Sequence, residues 1–416
     1  MTAMEKIKSV TVNNPIKLNR GTEVKNRIVK AAMSESLGSV DGRPTKALTT
    51  LYKRWAEGGA GLLITGNVMI DRRAFGEPNN VVIEDDADLP QLSEWAQAAT
   101  SNDTQCWVQL NHPGKQAPKG LNKETVSPSA VPFRQEMQNF FSTPRALENS
   151  EILDIIKRFG TAAKVVKDAG FSGVMIHGAH GYLVSQFLSP LQNLRTDKWG
   201  GNSEARRQFV LEIYREVRRQ VGNDFPIAIK LNSADFQKGG FSEEESLNVI
   251  KALEAEGIDL VEISGGSYEQ PAMSGVNVKE STKKREAYFL EFAEKIRAET
   301  KIPLILTGGF RTTTAMNDAL KSGALDFVGM ARAFAIDPEY ANKSLQGKAH
   351  DIQVKPIKTG LKPIDNMGIM EVSWYSRQLH RMGKGKDPKP NESPLMSFIK
   401  TMFQTRMRVR RKNRAS

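Results

Sequence analysis

Residues 172–201 of this 416-residue chain read SGVMIHGAHGYLVSQFLSPLQNLRTDKWGG. The segment begins as an apolar run containing Val174 and Ile176 and then breaks at glycines, with His177, His180 and Tyr182 within six positions of one another. β-Branched residues favour a buried strand, and glycines favour a turn after it. In a barrel of parallel strands, the active site lies at the carboxyl ends of the strands. The segment therefore predicts a buried strand that ends at a candidate active site.

The rest of the chain alternates in the same way between short apolar strands and helices. Strands are predicted at 27–33, 61–66, 106–111, 173–178, 226–232, 259–266, 303–309 and 325–332. Helices are predicted at 44–58, 88–101, 151–169, 203–220, 242–256, 284–299 and 312–322. Eight near-continuous Val/Ile/Leu runs separated by helices predict an α/β fold, a (β/α)8 TIM barrel. The alternative, a doubly wound sheet, normally has a glycine-rich first turn, and none follows the first strand.

The two ends of the chain depart from this alternation. Two short β-like pieces at 16–18 and 23–25 predict an N-terminal hairpin. We expect residues 1–345 to form the barrel and residues 346–416 to form a C-terminal extension that contains a helix near 370–380. Six Lys and Arg residues and no acid occur in the last sixteen positions. This basic tail is predicted to be disordered, with contact to an anionic membrane as the alternative. Nucleic acid is not an expected partner, because no aromatic residues that could stack on bases lie between the basic residues of the tail.

Composition excludes several classes of protein. The only cysteine, Cys106, excludes an internal disulfide framework, a Cys-ligated iron–sulfur cluster and a four-Cys zinc site. The sequence contains no stretch of eighteen apolar residues, so no transmembrane helix is predicted. The N-terminal residues lack the apolar core of a signal peptide. These features favour a cytoplasmic protein.

Two predicted strand ends could together bind a phosphate group. Gly308 and Gly309 follow the seventh strand, and Arg332 follows the eighth. TIM barrels frequently bind phosphate with the loops after these two strands, where small residues let backbone N–H groups approach the anion. An arginine could add a bidentate contact. The alternative is that the two glycines only form a turn.

Two polar residues interrupt apolar strand runs. Gln109 and Lys230 lie where a buried amide or ammonium is costly without a partner. One interpretation pairs Lys230 with a carboxylate such as Asp235 or Glu262. The other places both side chains against a polar heterocycle.

His177 and His180 admit three interpretations. They could be core residues, metal ligands or hydrogen-bond donors to a substrate. A hydrolytic zinc site needs three protein ligands and a positioned water. The only further candidate near a strand end is His112, since the carboxyl end of the eighth strand supplies no Asp, Glu or His. No metal is therefore predicted, and a metal-assisted hydrolase that uses His177 and His180 is kept as the alternative function.

The opening segment resembles the hallmark segment of the old yellow enzyme family of FMN-dependent ene-reductases. The resemblance extends over roughly residues 5–345 and is greatest to the single-barrel NADH:flavin oxidoreductase branch. It includes NRIVKAAMS (26–34), QLNHPGKQA (109–117), KLNSADF (230–236), VEISGG (261–266), ILTGGF (305–310) and VGMARAFAIDP (328–338). Larger members carry a cysteine cluster and a dinucleotide domain. With one cysteine and about seventy residues after the barrel, this protein is not expected to have the electron-transfer chain of those larger members.

The resemblance implies roles for particular residues. His177 and His180 would hold the carbonyl oxygen of an electron-poor alkene, and Tyr182 would donate a proton. The residues implied to bind FMN are Ala32, Met33, Ser34, Gly66, Gln109, Lys230, Gly308, Gly309, Ala331 and Arg332. Ser34 stands where relatives often have Thr or Cys beside the flavin. A cation at the flavin pyrimidine edge, here Lys230, would stabilise the anionic reduced flavin.

The resemblance also implies an activity. The expected enzyme is an FMN-dependent oxidoreductase that takes hydride from NADH or NADPH. It would reduce activated C=C bonds in enones, quinones or nitro compounds, with hydride from flavin N5 and a proton from Tyr182. A small electrophilic alkene or quinone is the expected partner, and assembly into a homo-oligomer is left open.

Overall fold

The computed structural model describes residues 10–266, 269, 289–347, 357–361 and 370–403. The strands are β1 (Ile16–Lys17), β2 (Glu23–Val24), β3 (Ile28–Lys30), β4 (Leu62–Met69), β5 (Val81–Val82), β6 (Gln105–Asn111), β7 (Val126–Ser127), β8 (Arg145–Ala146), β9 (Gly173–Gly178), β10 (Ile227–Asn232), β11 (Leu260–Ser264), β12 (Leu304–Thr307) and β13 (Phe327–Met330). The helices are α1 (Lys46–Glu57), α2 (Leu89–Ala99), α3 (Asn149–Asp168), α4 (Leu183–Leu188), α5 (Ser203–Val221), α6 (Glu243–Glu256), α7 (Leu290–Glu299), α8 (Thr313–Lys321), α9 (Arg332–Ile336), α10 (Tyr340–Leu345) and α11 (Met370–Met382). Residues 394–403 are also helical.

Eight parallel strands close into a barrel. The order around it is β3, β13, β12, β11, β10, β9, β6 and β4, and pairing between β3 and β4 completes the ring. Helices lie between successive strands and cover the outside. The predicted (β/α)8 TIM barrel is therefore confirmed, because each predicted apolar run forms one strand of the ring.

Strand alternation divides the core into two layers. Outward side chains pack against the helices in one large buried cluster, which includes Leu63, Val108 and Val174. Inward side chains fill the barrel interior. The interior apolar residues contributed by the eight strands are Val29, Leu62, Ile64, Trp107, Met175, Ala228, Leu260, Ile305 and Phe327. Side chains along a strand point alternately to its two faces, so these residues sit in register and form a filled core rather than a pore.

The predicted N-terminal hairpin is present and closes one end of the barrel. β1 and β2 pair antiparallel, with Ile16 opposite Val24. Leu18 and Val24 are buried in the same cluster as the barrel interior. Since the hairpin covers the amino ends of the strands, access to the interior is directed to their carboxyl ends.

One strand runs further than its sequence indicates. Gly66 was expected to end the second barrel strand, yet β4 continues to Met69. The pairing of β4 with β6 shifts register between Ile64 and Asn67, and the ladder then resumes with Asn67 opposite Gln109. Because a neighbouring strand supplies hydrogen bonds beyond the irregularity, local glycine content does not end the strand.

The helix boundaries agree with local capping signals. α6 begins after Ser242, whose hydroxyl accepts from the Glu245 N–H while the Glu245 carboxylate accepts from the Ser242 N–H. This reciprocal pair of hydrogen bonds is a capping box, and it begins the helix where the sequence predicts it. Residues 112–148, which join β6 to α3, contain a short parallel ladder between β7 and β8. α4, which follows Tyr182, was not predicted.

The C-terminal extension is partly packed onto the barrel. α11 lies against α1 and α9. Trp374, Leu379 and Met382 belong to the same buried cluster as the outer face of the strands. The predicted boundary near 345 stays a prediction. The basic tail over 404–416 lies outside the described residues, and within the described ranges no helix has the length and apolar character needed to cross a bilayer.

Gly173 offers a test of interior packing. A Cβ added there would lie 2.7 Å from three indole atoms of Trp107, a rigid neighbour in the barrel interior. We expect Gly173→Ala to lower the free energy of unfolding by about 1–3 kcal/mol, the usual cost of overpacking a filled core. Urea unfolding of the purified protein measures this change.

The same substitution in a Trp107→Ala background provides the control. Removal of the whole indole gives the new methyl group room, so the loss caused by Gly173→Ala should shrink in the double variant. An equal loss in both backgrounds would show that contact with the indole is not its cause.

Candidate active site

A layer of polar side chains lies directly above the apolar barrel interior. Each member stands two residues after an inward apolar residue of its strand, and therefore points to the same face. The members are Gln109, His177, Lys230, Glu262 and Thr307. The first four are buried. The polar layer at the carboxyl ends of five strands thus forms the floor of a candidate active site.

His177, His180 and Tyr182 come together as the opening segment of the sequence predicts. The rings of His177 and His180 have centroids 5.2 Å apart in an edge-to-face arrangement. The His177 and Tyr182 rings are 4.8 Å apart. β9 places the first histidine in the barrel, and the turn before α4 places the other two side chains beside it.

His180 has a backbone conformation that requires support. Its φ is +62°, in the left-handed region that non-glycine residues seldom adopt. Its N–H donates to Asn232 Oδ1 at 3.2 Å, and its carbonyl accepts from Gln116 Nε2 at 3.0 Å. Its ring Nε2 lies 2.7 Å from Ser264 Oγ. Contacts from three separate segments therefore fix the imidazole, as expected where strain serves a functional site.

Both histidines are neutral at neutral pH. Burial lowers the pKa of His177 well below its ordinary value, and the neighbouring His180 and Lys230 lower it further. Burial and then Lys230 likewise lower the pKa of His180. His177 Nδ1 accepts from the Ala179 N–H at 3.3 Å, so its proton is on Nε2. His177 is thus a neutral hydrogen-bond donor.

A chain of amides connects Gln109 to the tyrosine. Gln109 Nε2 donates to Asn67 Oδ1 at 2.8 Å, and Asn67 Nδ2 donates to the Tyr182 hydroxyl oxygen at 3.2 Å. The side-chain oxygen of Gln109 is buried and has no partner in the described structure. A buried acceptor without a donor is costly. The site therefore offers this oxygen to a ligand that donates a hydrogen bond.

Lys230 forms the carboxylate pair that was one of its two expected environments. Its Nζ lies 2.8 Å from Glu262 Oε1. Thr307 Oγ1 donates to the same oxygen at 2.7 Å. Of the two carboxylates considered from the sequence, Glu262 is the partner, since Asp235 accepts from Ser189 Oγ at 2.7 Å instead.

The predicted phosphate residues line one open cavity. Gly308 and Gly309 have φ values of 120° and 96°, which glycine adopts without strain. Together with residues 329–333 they line a cavity that is open to solvent. Ala331 and Arg332 are part of the lining, and Arg332 Nη1 lies 3.4 Å from Glu371 Oε2 of α11.

The loop after β3 brings the remaining predicted residues together. A Cβ on Gly66 would lie 2.5 Å from the carbonyl oxygen of Met33, so the two backbones are in contact. Ser34 Oγ donates to Glu77 Oε1 at 2.5 Å. Ala32 packs against the barrel interior. All ten residues implied to bind flavin therefore lie at the carboxyl ends of barrel strands.

A buried charged network holds this loop in place. Lys30 Nζ donates to the Ile64 carbonyl at 2.7 Å and lies 4.3 Å from the centre of the Trp55 ring. Burial lowers the pKa of Lys30 to about 8, and burial raises that of Glu35, which is 3.6 Å away. Glu35 also accepts from the hydroxyl of Tyr52.

Several residues of the site were not identified from the sequence. Each of them makes a side-chain hydrogen bond to a residue that the sequence did single out. They are Asn67, Ser264 and Thr307. Counting two positions forward from the inward residue Ile305 would have found Thr307, and counting four forward from Leu260 would have found Ser264. Asn67 follows the register shift in β4, so no local signal predicts which way it points.

The histidine pair predicts a pH dependence of stability. In the unfolded chain both imidazoles take up protons below a pH of about 6.5, whereas in the folded protein they stay neutral to much lower pH. The unfolded state then binds more protons, so the free energy of unfolding falls as pH drops. The expected slope is up to about 1.4 kcal/mol per pH unit for each histidine below a pH of about 6.5, and it approaches zero as the pH rises well above that value.

Urea unfolding between pH 7.5 and 5.5 measures this slope. The double variant His177→Asn/His180→Asn should lose stability less steeply over this range. Burial also lowers the pKa of His112, to about 4, and His112 contributes equally to both proteins. Identical slopes would contradict neutral, buried imidazoles at positions 177 and 180.

Comparisons with known proteins give the family of this chain. The model of the NADH:flavin oxidoreductase / NADH oxidase family matches residues 12–351. The NADH-dependent flavin oxidoreductase iliE of Hypocrea jecorina is 36% identical over 352 residues, which is 78% of this chain and 86% of the relative.

Two solved structures share the fold. The old yellow enzyme homologue from Zymomonas mobilis has a TM-score of 0.69 at 25% identity, over 81% of this chain and 93% of that one. A 2-naphthoyl-CoA reductase, solved with 2-naphthoyl-CoA, has a TM-score of 0.74 at 28% identity. The match covers 81% of this chain and 52% of the reductase chain.

These findings confirm the expected enzyme class, the flavin cofactor and NAD(P)H as the reductant. They give the metal-assisted hydrolase no support, and among the described residues no group of three or more His, Cys, Asp or Glu side chains could hold a metal ion. The chain belongs to the NADH:flavin oxidoreductase / NADH oxidase family.

Proposed function

We propose that this enzyme reduces the activated C=C bond of small electrophilic alkenes, with enones as the first class and quinones or nitro compounds as others. The observation that carries the proposal is the cluster of His177, His180 and Tyr182 above a polar floor that contains Gln109 and Lys230. Such a cluster offers hydrogen bonds to a carbonyl oxygen and a proton donor within one site.

The floor of the site fits an isoalloxazine ring. The unpartnered Gln109 oxygen suits an N–H donor of the pyrimidine edge, and Lys230 suits its carbonyl and N1 side. Gly308, Gly309 and Arg332 would hold the phosphate at the cavity they line. Ala32, Met33, Ser34, Gly66 and Ala331 would surround the ring and its chain. When bound, FMN supplies hydride to the β-carbon of the alkene.

The two histidines stabilise the negative charge that develops on the substrate oxygen. A neutral imidazole donates a hydrogen bond without carrying a charge of its own, and His177 Nε2 carries the proton needed. Donors held in place before the reaction stabilise a developing oxyanion more than water does. The contacts that fix His180 serve this purpose.

Tyr182 completes the reduction by giving a proton to the α-carbon. Asn67 Nδ2 bonds to the phenol oxygen and so fixes the side chain beside His177. A positioned general acid typically contributes 10²–10⁴-fold to a rate.

The cytoplasmic location stays a prediction.

Tyr182→Phe tests the proton-donor role. We expect the rate of alkene reduction under single-turnover conditions to fall by about 100-fold or more, while the rate at which NAD(P)H reduces the flavin changes by less than threefold. Stopped-flow absorbance of the flavin band measures both half-reactions separately, with cyclohexenone-type enones, a nitroalkene and a quinone as oxidants.

Tyr214→Phe is the matched control, because it removes a buried tyrosine hydroxyl that bonds to the Glu256 carbonyl, far from the site. It should leave both rates unchanged. Equal slowing of the two half-reactions by Tyr182→Phe would show that Tyr182 is not the proton donor.

We also propose an anionic membrane as a partner of the C-terminal end. Met396, Ile399 and Phe403 are exposed on one face of the helix at 394–403, and Phe403 is 67% exposed. The sequence beyond it carries six basic residues and no acid. An apolar stripe next to basic charge is the composition of a helix that lies in the interface of an anionic bilayer.

Sedimentation with phosphatidylserine vesicles tests this partner. The enzyme should bind them more than phosphatidylcholine vesicles, with binding weakened by salt. Phe403→Asp should weaken binding about tenfold or more, because burial of a phenyl ring contributes roughly 1.5–3 kcal/mol. Phe140→Asp, at an exposed aromatic residue elsewhere, should not change it. Equal binding to both lipids, or equal effects of both variants, would contradict the proposal.

A further inference from the structure

We propose that Glu262 is a positioning residue that lowers the reduction potential of the bound flavin by pairing with Lys230. The inference rests on the proposed placement of Lys230 at the flavin pyrimidine edge and deepens it. In place of an isolated cation, the floor of this site then presents an ion pair whose net charge is near zero.

The pair is built into neighbouring strands. Lys230 of β10 lies directly opposite Glu262 of β11 in the parallel register. Both side chains follow an inward apolar residue by two positions, so both must point into the barrel. The Nζ–Oε1 distance is 2.8 Å, and the two side chains are 4% and 0% exposed. Since solvent hardly reaches the pair, water screens its charges little.

A second strand fixes the orientation of the carboxylate. Thr307 Oγ1 donates to Glu262 Oε1 at 2.7 Å. Space for this hydroxyl depends on Gly329 of the next strand, where a Cβ would lie 1.9 Å from Thr307 Oγ1. Three strands therefore cooperate to hold one carboxylate oxygen against Lys230.

The other carboxylate oxygen points to a role beyond structure. Glu262 Oε2 is buried and has no partner in the described part of the chain. A purely structural ion pair would be expected to satisfy both oxygens, because an unpaired buried acceptor is costly. This unpaired oxygen belongs to the same polar layer as Gln109 and Lys230. That position fits a negative charge that acts on the flavin ring.

The direction of the effect follows from electrostatics. Two-electron reduction places negative charge on the flavin near N1, and positive charge there favours the reduced form. The negative carboxylate beside Lys230 offsets that stabilisation. Removal of the carboxylate charge should therefore stabilise the reduced flavin and move its midpoint potential to more positive values.

Glu262→Gln in the FMN-loaded enzyme tests the inference, since it keeps the shape and removes the charge. Redox titration against a reference dye at pH 7 should show at least a tenfold increase in the ratio of reduced to oxidised flavin at a given potential, about +30 mV for two electrons. Glu262→Asp, which keeps the charge, should shift the potential by less than half as much.

Asp259→Asn is the matched control. Asp259 precedes β11 and is also buried and ion-paired, with Arg20 at 2.7 Å and Arg218 at 2.8 Å, but it lies at the opposite end of the barrel. Its loss should leave the potential of the flavin within the error of the measurement. An unchanged or lowered potential in Glu262→Gln, or an equal shift in Asp259→Asn, would overturn the assignment.

The outcome separates this inference from the proposed function. Failure of the wild-type protein to show a flavin absorbance band after addition of FMN would count against the placement of the cofactor itself. A loaded wild-type enzyme that reduces enones, with a potential insensitive to Glu262→Gln, would overturn only the role of Glu262. Thermal unfolding of each variant shows whether it is folded before its potential is compared.

Discussion

The register in which the eight parallel strands close is the constraint on which the site depends. Each strand contributes at least one inward apolar residue, and the next inward position two residues later is polar in five of them. In the parallel pairing, His177, Lys230 and Glu262 stand directly opposite one another. A shift of one residue in any strand would turn its polar group outward into the helix layer. The same pairing therefore builds both the core and the floor of the active site.

Burial acts on the charged and titratable groups of this floor in two ways. The imidazoles of His177 and His180 respond by remaining neutral, which suits hydrogen bonding to a substrate oxygen. Lys230 responds by pairing with Glu262. The first arrangement avoids charge altogether, and the second balances it. Both follow from the cost of an isolated charge in a poorly hydrated interior.

The segments above the barrel are held by contacts that cross long stretches of sequence. α11 reaches the loop after β3, where Ser376 Oγ donates to the Ser34 carbonyl at 2.8 Å and His380 Nε2 lies 2.8 Å from the Glu35 carbonyl oxygen. Its Glu371 lies beside Arg332. The C-terminal extension thus touches both the proposed ring site and the proposed phosphate site, although α11 lies beyond residues 12–351, which the family model matches.

The sequence by itself determined the barrel, the strand positions and the residues at the strand ends. Strand periodicity and glycine breaks are local signals, and the segment at 172–201 brings both histidines and the tyrosine within six positions. Only the tertiary structure decided that Lys230 pairs with Glu262 rather than Asp235, that Asn67 joins Gln109 to Tyr182, and that α11 covers the first loop. These contacts join residues that are between 32 and 342 positions apart in sequence, from Lys230 and Glu262 to Ser34 and Ser376. Such partners meet only when the ring of strands closes, because closure and not local preference sets which side chains face each other across the barrel.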